Sequence, residues 1–185
     1  MQDQKTIIGV EYNYKISHSV LVLENIIDKD VNNSLIKFGN HSNEINTILV
    51  DQEERYIFSG SDDNKIVQYA LFDNNKSIKV VKIYENLVTN FICSSVRIGN
   101  IAIFGGDNHN IIVILIDKKE LLKYPIEVET QYIYSLKICR LSTSDPKILL
   151  ASTGVNYKNL KLKTHCIDIT KSLPENLKVD ESIMK

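Results

Sequence analysis

Short runs rich in Ile, Val, Leu, Tyr and Phe recur along the chain, often alternating with polar residues and bounded by clusters of Asn, Asp, Gly or Ser. Helical periodicity is weak throughout. The pattern predicts strands over 7–10, 20–24, 45–50, 56–59, 66–71, 78–84, 101–104, 111–116, 133–139, 148–152 and 160–167. Strands this short and this dense predict an all-β domain. After Thr170 the pattern stops, and "KSLPENLKVDESIMK" is read as a tail, irregular or opening a short helix at Pro174 and Glu175. The expected organisation is a β domain over 1–170 and a tail over 171–185.

The strands repeat as units. "INTI" at Ile45, "VTNF" at Val88 and "IYSL" at Ile133 start 43 and 45 residues apart, a period of propeller blades. Behind them follow "YIFSGSDDNKIVQYAL", "AIFGGDNHNIIVILI" and "LLASTGVNYKNLKL". Each unit reads as strand, turn, strand, polar turn, strand and a weaker outer strand. "SVLVLE" and "SLIKF", before Asn40, supply the third and outer strands of an earlier unit. The third unit carries two expanded connections, "RLSTSDPK" and "TGVNYKN", where Tyr157 and Lys158 are read as ordinary loop residues.

The unit from Asn40 to Leu71 resembles a WD40 repeat, and the resemblance extends over about residues 7–168. Asn40-His41 stands where that family has Gly-His, "SGSDDNKI" gives the turn into the third strand, and Tyr69-Ala70 replaces the Trp-Asp dipeptide. The resemblance implies a propeller of radially arranged four-stranded antiparallel sheets. It also implies a buried hydrogen-bond network of His41, Ser59, Asp63 and Tyr69, in which a carboxylate fixes the imidazole tautomer and the other ring nitrogen meets a hydroxyl. By the same analogy Glu44, Asn46, Asp62 and Asp107 are candidates for protein contact, and their character suits a partner with a basic face. At about 40–45 residues per blade the chain holds about three blades plus pieces, fewer than a closed ring needs. Completion by a partner chain, a second copy or a further segment is therefore expected, because an open arc exposes strand edges.

Composition narrows the field. A formal net charge of −1 supplies no basic field for nucleic acid or anionic lipid. "NIIVILID" is far short of the roughly 20 residues that cross a bilayer, so no membrane insertion is expected. "MQDQK" followed by "TIIGV" does not make a secretory leader. Cys93, Cys139 and Cys166 have no metal-ligand spacing and read as small buried residues of a reducing compartment. The expected setting is cytoplasmic, with a cytoskeletal or membrane-traffic assembly as a variant of it.

Catalytic chemistry finds little purchase. Ser59, His41 and Asp63 invite a hydrolase reading, but the Gly-x-Ser-x-Gly elbow is missing. Gly105 and Gly106 belong to no phosphate-binding motif and read as turn glycines. His109 beside Asp107 reads as a turn residue, and His18 and His165 have no spaced partners. In the second unit either Asp107 or Asn108 can take the turn-carboxylate place. The sequence therefore points to a non-enzymatic WD40-like scaffold without cofactor or metal. The alternatives are a propeller enzyme with a polar or metal site at its channel, built on Asp63, Asp107 and His109, and a truncated remnant completed by another chain.

Overall fold

The structure, a computed structural model, describes residues 6–11, 18–24, 35–50, 55–72, 77–87, 91–107, 109–121, 126–127, 132–139, 149–156 and 161–168. The 171–185 tail and the Tyr157-Lys158 loop lie outside them. The described strands form four antiparallel sheets. The first comprises β1 (Thr6–Glu11), β2 (His18–Glu24) and β3 (Leu35–His41), in that order. The second is a complete blade of β4 (Ile45–Val50), β5 (Tyr56–Ser61), β6 (Ile66–Phe72) and β7 (Ser77–Tyr84). In the third, β8 (Ile92–Ile98), β9 (Ile101–Gly106) and β10 (Asn110–Leu115) are flanked by an outer strand split into β11 (Glu120–Leu121) and β12 (Ile126–Glu127). The fourth comprises β13 (Tyr132–Cys139), β14 (Leu149–Asn156) and β15 (Lys161–Asp168). The predicted connection "TGVNYKN" begins inside β14, which continues to Asn156.

Why the inner strands read as nearly continuous apolar runs follows from the packing. Each central sheet is covered on both faces, so both sets of alternating side chains are buried. On β9 and β10, Ile101, Ile103, Ile111 and Val113 pack toward Ile133 and Leu136 of the fourth sheet. Their neighbours Ala102, Phe104, Ile112 and Ile114 pack the other way, against Phe58, Ile66 and Tyr84 of the second. Phe58 and Phe104 meet across that junction with ring centroids 6.0 Å apart.

The start of each unit is marked by a β-bulge. Pairing shifts register between Ile45 and Thr47, between Ile92 and Ser94, and between Ile133 and Ser135. Equivalent residues are therefore Ile45, Ile92 and Ile133, 47 and 41 residues apart. "ICSS", and not "VTNF", is the counterpart of "INTI". The apolar spacing at Val88 was a coincidence of composition. The true strand hides because Ser94, Ser95 and Arg97 interrupt its apolar pattern.

Those hydroxyls are used between sheets. Thr47 Oγ1 and Ser95 Oγ lie 2.6 Å apart, and Ser94 Oγ donates to the Ile133 carbonyl at 3.0 Å. First strands of neighbouring sheets thus meet along a polar seam. At the same junctions Gly60 and Gly105 admit close approach. A Cβ on Gly105 would stand 2.7 Å from Ile133 Cγ2, and one on Gly60 would overlap Ile92 and stand 2.9 Å from Thr47 Cγ2. Gly105 and Gly106 are strand residues of β9, so the turn role read for Gly105 gives way to a packing role. Gly60→Ala is expected to cost about 1–3 kcal/mol by overpacking, read as a lower urea midpoint at unchanged slope. An unaltered midpoint would show that the sheets can part freely there.

Candidate functional site

His41 closes β3, the outer strand of the first sheet, where it pairs in register with His18 of β2. Its side chain reaches into the second sheet. Nδ1 lies 3.0 and 3.1 Å from the two carboxylate oxygens of Asp63, and Nε2 lies 2.7 Å from Ser59 Oγ. A carboxylate only accepts, which places the imidazole proton on Nδ1 and leaves Nε2 to accept from the serine hydroxyl. The Tyr69 hydroxyl stands 3.4 Å from Ser59 Oγ, a long contact. Asp63 also accepts from the backbone N–H of Ser42 at 2.9 Å and of Lys65 at 3.1 Å. The structure brings all four residues of the expected network together, across two sheets.

This is also Ser-His-Asp geometry, and access decides its meaning. Ser59 and Tyr69 are fully buried and His41 nearly so, which closes the serine hydroxyl off from solvent. A buried polar set with every member partnered specifies how sheets join. Burial lowers the His41 pKa below its ordinary 6.5, against the opposing pull of Asp63. It also pushes the Tyr69 phenol up to about 12, so both groups are neutral at pH 7.

The sign of the pH dependence follows. The unfolded chain takes up the imidazole proton first, so His41 contributes stability that is present above about pH 6.5 and is lost as pH falls through the lower folded value. Thermal midpoints are expected to drop between about pH 7.5 and 5.5, and a rise over that window would contradict the assignment.

The contact candidates gather where β4 meets the turn after β5. Glu44 and Asn46 are exposed and Asp62 is half-buried. The Asp62 N–H donates to the Glu44 carbonyl at 2.9 Å. The Asn46 amide donates both to Asp62 Oδ1 and, at 3.1 Å, to the Ile92 carbonyl of the next sheet. Asp107 differs: it is only 4 % exposed, and so does not share the accessible surface expected for it. The register also settles its place. Gly60 pairs with Ile66 as Gly105 pairs with Ile111, and Asn64 and His109 both adopt φ of 60°. Asp107 is thus the counterpart of Asp62, not of Asp63.

Cys93 sits at the bulge of β8, with Sγ 2.9 Å from the Ile133 carbonyl. Burial first, and then Asp62 and Asp107, push its thiol up to about 11, so it is protonated at neutral pH and a poor nucleophile. The side chains of Cys139, Cys166, His18 and His165 lie outside the described residues. Among the described residues no group of three or more His, Cys, Asp or Glu could hold a metal ion, and no helix is long and apolar enough to cross a membrane.

Two features escaped sequence reasoning. Gln68 is fully buried between the second and third sheets, accepting from the Tyr84 hydroxyl at 2.8 Å and donating to the Ile116 carbonyl at 3.4 Å. Phe91, Tyr132 and Tyr134 form a ring stack, with centroids 5.4 Å apart for the first pair and 6.1 Å for the second. Tyr132 and Tyr134 share a strand face at i and i+2, a signal present in the sequence; Phe91 joins them only through sheet packing.

No family model matches the sequence, and no curated protein matches it by sequence. Solved structures do match the fold. Sqt1 of Chaetomium thermophilum, bound to the N-terminus of ribosomal protein L10, superposes with a TM-score of 0.62 at 16% identity, over 86% of this chain and 45% of that one. The WD40 domain of Toxoplasma gondii coronin gives 0.62 at 11% identity, over 87% and 43%. The fold is that of a divergent, partial WD40 propeller. A chain of the mitotic checkpoint complex matches at 0.55 and 14% identity, over 86% and 51%. This WD40-like chain spans about half the length of the chains it matches. The sheets are its blades, and the His41 network ties the first to the second.

Proposed function

We propose that the chain is a WD40-like scaffold that binds other proteins through the rim formed by Glu44, Asn46 and Asp62. One observation carries the reading. Those three residues are organised by hydrogen bonds yet accessible, whereas Ser59, His41 and Tyr69 of the blade network are buried. Two matched structures support it, one holding Sqt1 with a ribosomal-protein terminus and one from a checkpoint complex. The two carboxylates favour a partner with a basic face and speed its encounter. The cytoplasm, with its reducing setting for Cys93, is the proposed location. Missing blades come from a partner chain, a second copy or a further segment, and light scattering showing a mass of two chains would single out the second copy.

Affinity capture of the tagged protein, read by mass spectrometry, tests the surface against a Glu44→Ala, Asn46→Ala, Asp62→Ala triple variant. A stoichiometric protein captured by wild type is expected to fall by about tenfold or more in the variant, as loss of a charged rim contact and its neighbours implies. Equal capture by a variant with an unchanged circular-dichroism spectrum rejects this rim.

A further inference from the structure

Arg97 stands near the end of β8, the first strand of the third sheet. Across the ladder it pairs with Ala102, which lies in the core shared with the second sheet. Two residues earlier on the same face, Ser95 meets Thr47 of β4. Beyond that hydroxyl pair the β4 side of the seam turns apolar, where Leu49 packs on the cluster of Phe58 and Ala102. A guanidinium has nothing to bond with there. The side chain is half-buried, and its Nε and Nη1 are enclosed without a hydrogen-bond partner. Arginine cannot shed its proton to relieve this, and a buried charge left uncompensated is strongly destabilising.

We infer that Arg97 receives a carboxylate side chain, Asp or Glu, of the polypeptide that completes the arc. The inference rests on the completion proposed above and names the chemistry of the closing segment. Position supports it. β4, β8 and β13 each stand at one end of their sheet, and it is there that neighbouring sheets meet through Thr47, Ser94 and Ser95. In a radial arrangement such converging end strands form the inner wall, the wall that further blades enclose. The charge on that wall sits in a seam of low dielectric, where one opposite charge is attracted several times more strongly than in water. A carboxylate suits the site better than a phosphate. The seam offers a single guanidinium, and the hydroxyls of Thr47 and Ser95 are engaged with each other, so a second negative charge would go unmatched. The planar fork of the guanidinium also fits the planar carboxylate.

The test uses the full chain. Arg97→Met, an unbranched apolar replacement, is expected to raise the thermal midpoint by about 3 °C or more, because it removes a buried charge that the chain alone does not compensate. A guanidinium paired by the chain's own carboxylates would make the variant less stable, so a lowered or unchanged midpoint overturns the inference. In isotopically labelled wild type, the Arg97 Nε–H resonance is expected to shift with N-acetyl-glutamic acid α-amide, and about fivefold more weakly with the neutral N-acetyl-glutamine amide at matched ionic strength. Equal shifts, or silence at about 100 mM glutamate probe, far above a millimolar contact, overturn it as well. If the triple variant loses its captured protein while the glutamate probe is silent, the scaffold reading stands and only this assignment falls. If the triple variant captures normally while the probe shifts Arg97, the rim falls and the Arg97 site stands.

Discussion

Phe104→Ala is expected to lower stability by about 3–5 kcal/mol, the usual cost of truncating a buried aromatic. The side chain is fully enclosed between the second and third blades, with Phe58 on its far side. Nothing beside it can collapse readily, because Ala102, Ile112 and Ile114 face the same junction from strands already locked in register. Against a typical net stability of about 5–15 kcal/mol, the loss takes much of the fold with it. Urea unfolding followed by tyrosine fluorescence measures it. Leu121→Ala, at an exposed outer strand, serves as control and should stay within about 0.5 kcal/mol. Equal effects at the two sites would mean that the blades do not pack as a shared core.

Asp63→Ala is the second large effect, about 1.5–3 kcal/mol from losing charge-assisted bonds. Three donors lose their acceptor at once: His41 Nδ1, the Ser42 N–H and the Lys65 N–H. The imidazole is the costly one, since it is buried and cannot turn to water. A double-mutant cycle with His41→Ala separates this from general damage at the turn. Coupling above about 0.5 kcal/mol is expected for residues in one network, whereas strictly additive losses would show that the His41–Asp63 contact does not carry the effect.

The two predictions differ in how visible their residues were beforehand. His41, Ser59, Asp63 and Tyr69 stand where the resemblance of one ungapped unit to a WD40 repeat implies a buried network, and the need of buried polar groups for partners explains why those residue types suit it. The sequence did not indicate that His41 belongs to the outer strand of the preceding blade. That pairing depends on β3, whose register is set by β2 across a long connection. Phe104 was legible as a strand residue, but which neighbour it meets was not. Alternation divides β9 into two faces without saying what lies opposite either.

The second unit shows the limit most clearly. Its first strand carries Ser94, Ser95 and Arg97, so the apolar spacing of "VTNF" drew the boundary four residues early. Polar residues occur there because first strands of adjacent blades meet through hydroxyls and carbonyls, an arrangement invisible to a one-dimensional pattern. Gly105 misled for the same reason. A glycine needed for a turn and one needed for close packing look alike until the neighbouring Ile133 is in place.

By itself, then, the sequence determined the local matters, with the residues of the buried polar network following from its resemblance to a WD40 repeat: strands from alternation, a blade-length period and the turn chemistry of Asp62 to Asn64. These depend on backbone geometry and hydrogen-bonding capacity within a few residues. The tertiary structure alone decided which residues are equivalent from blade to blade, that Asp107 is buried while Asn46 is not, and that Phe91 joins Tyr132 and Tyr134 on one rim. Those outcomes rest on sheet-to-sheet contact between residues about 40 or more positions apart, where burial and close approach are set by the partner surface rather than by the chain on either side.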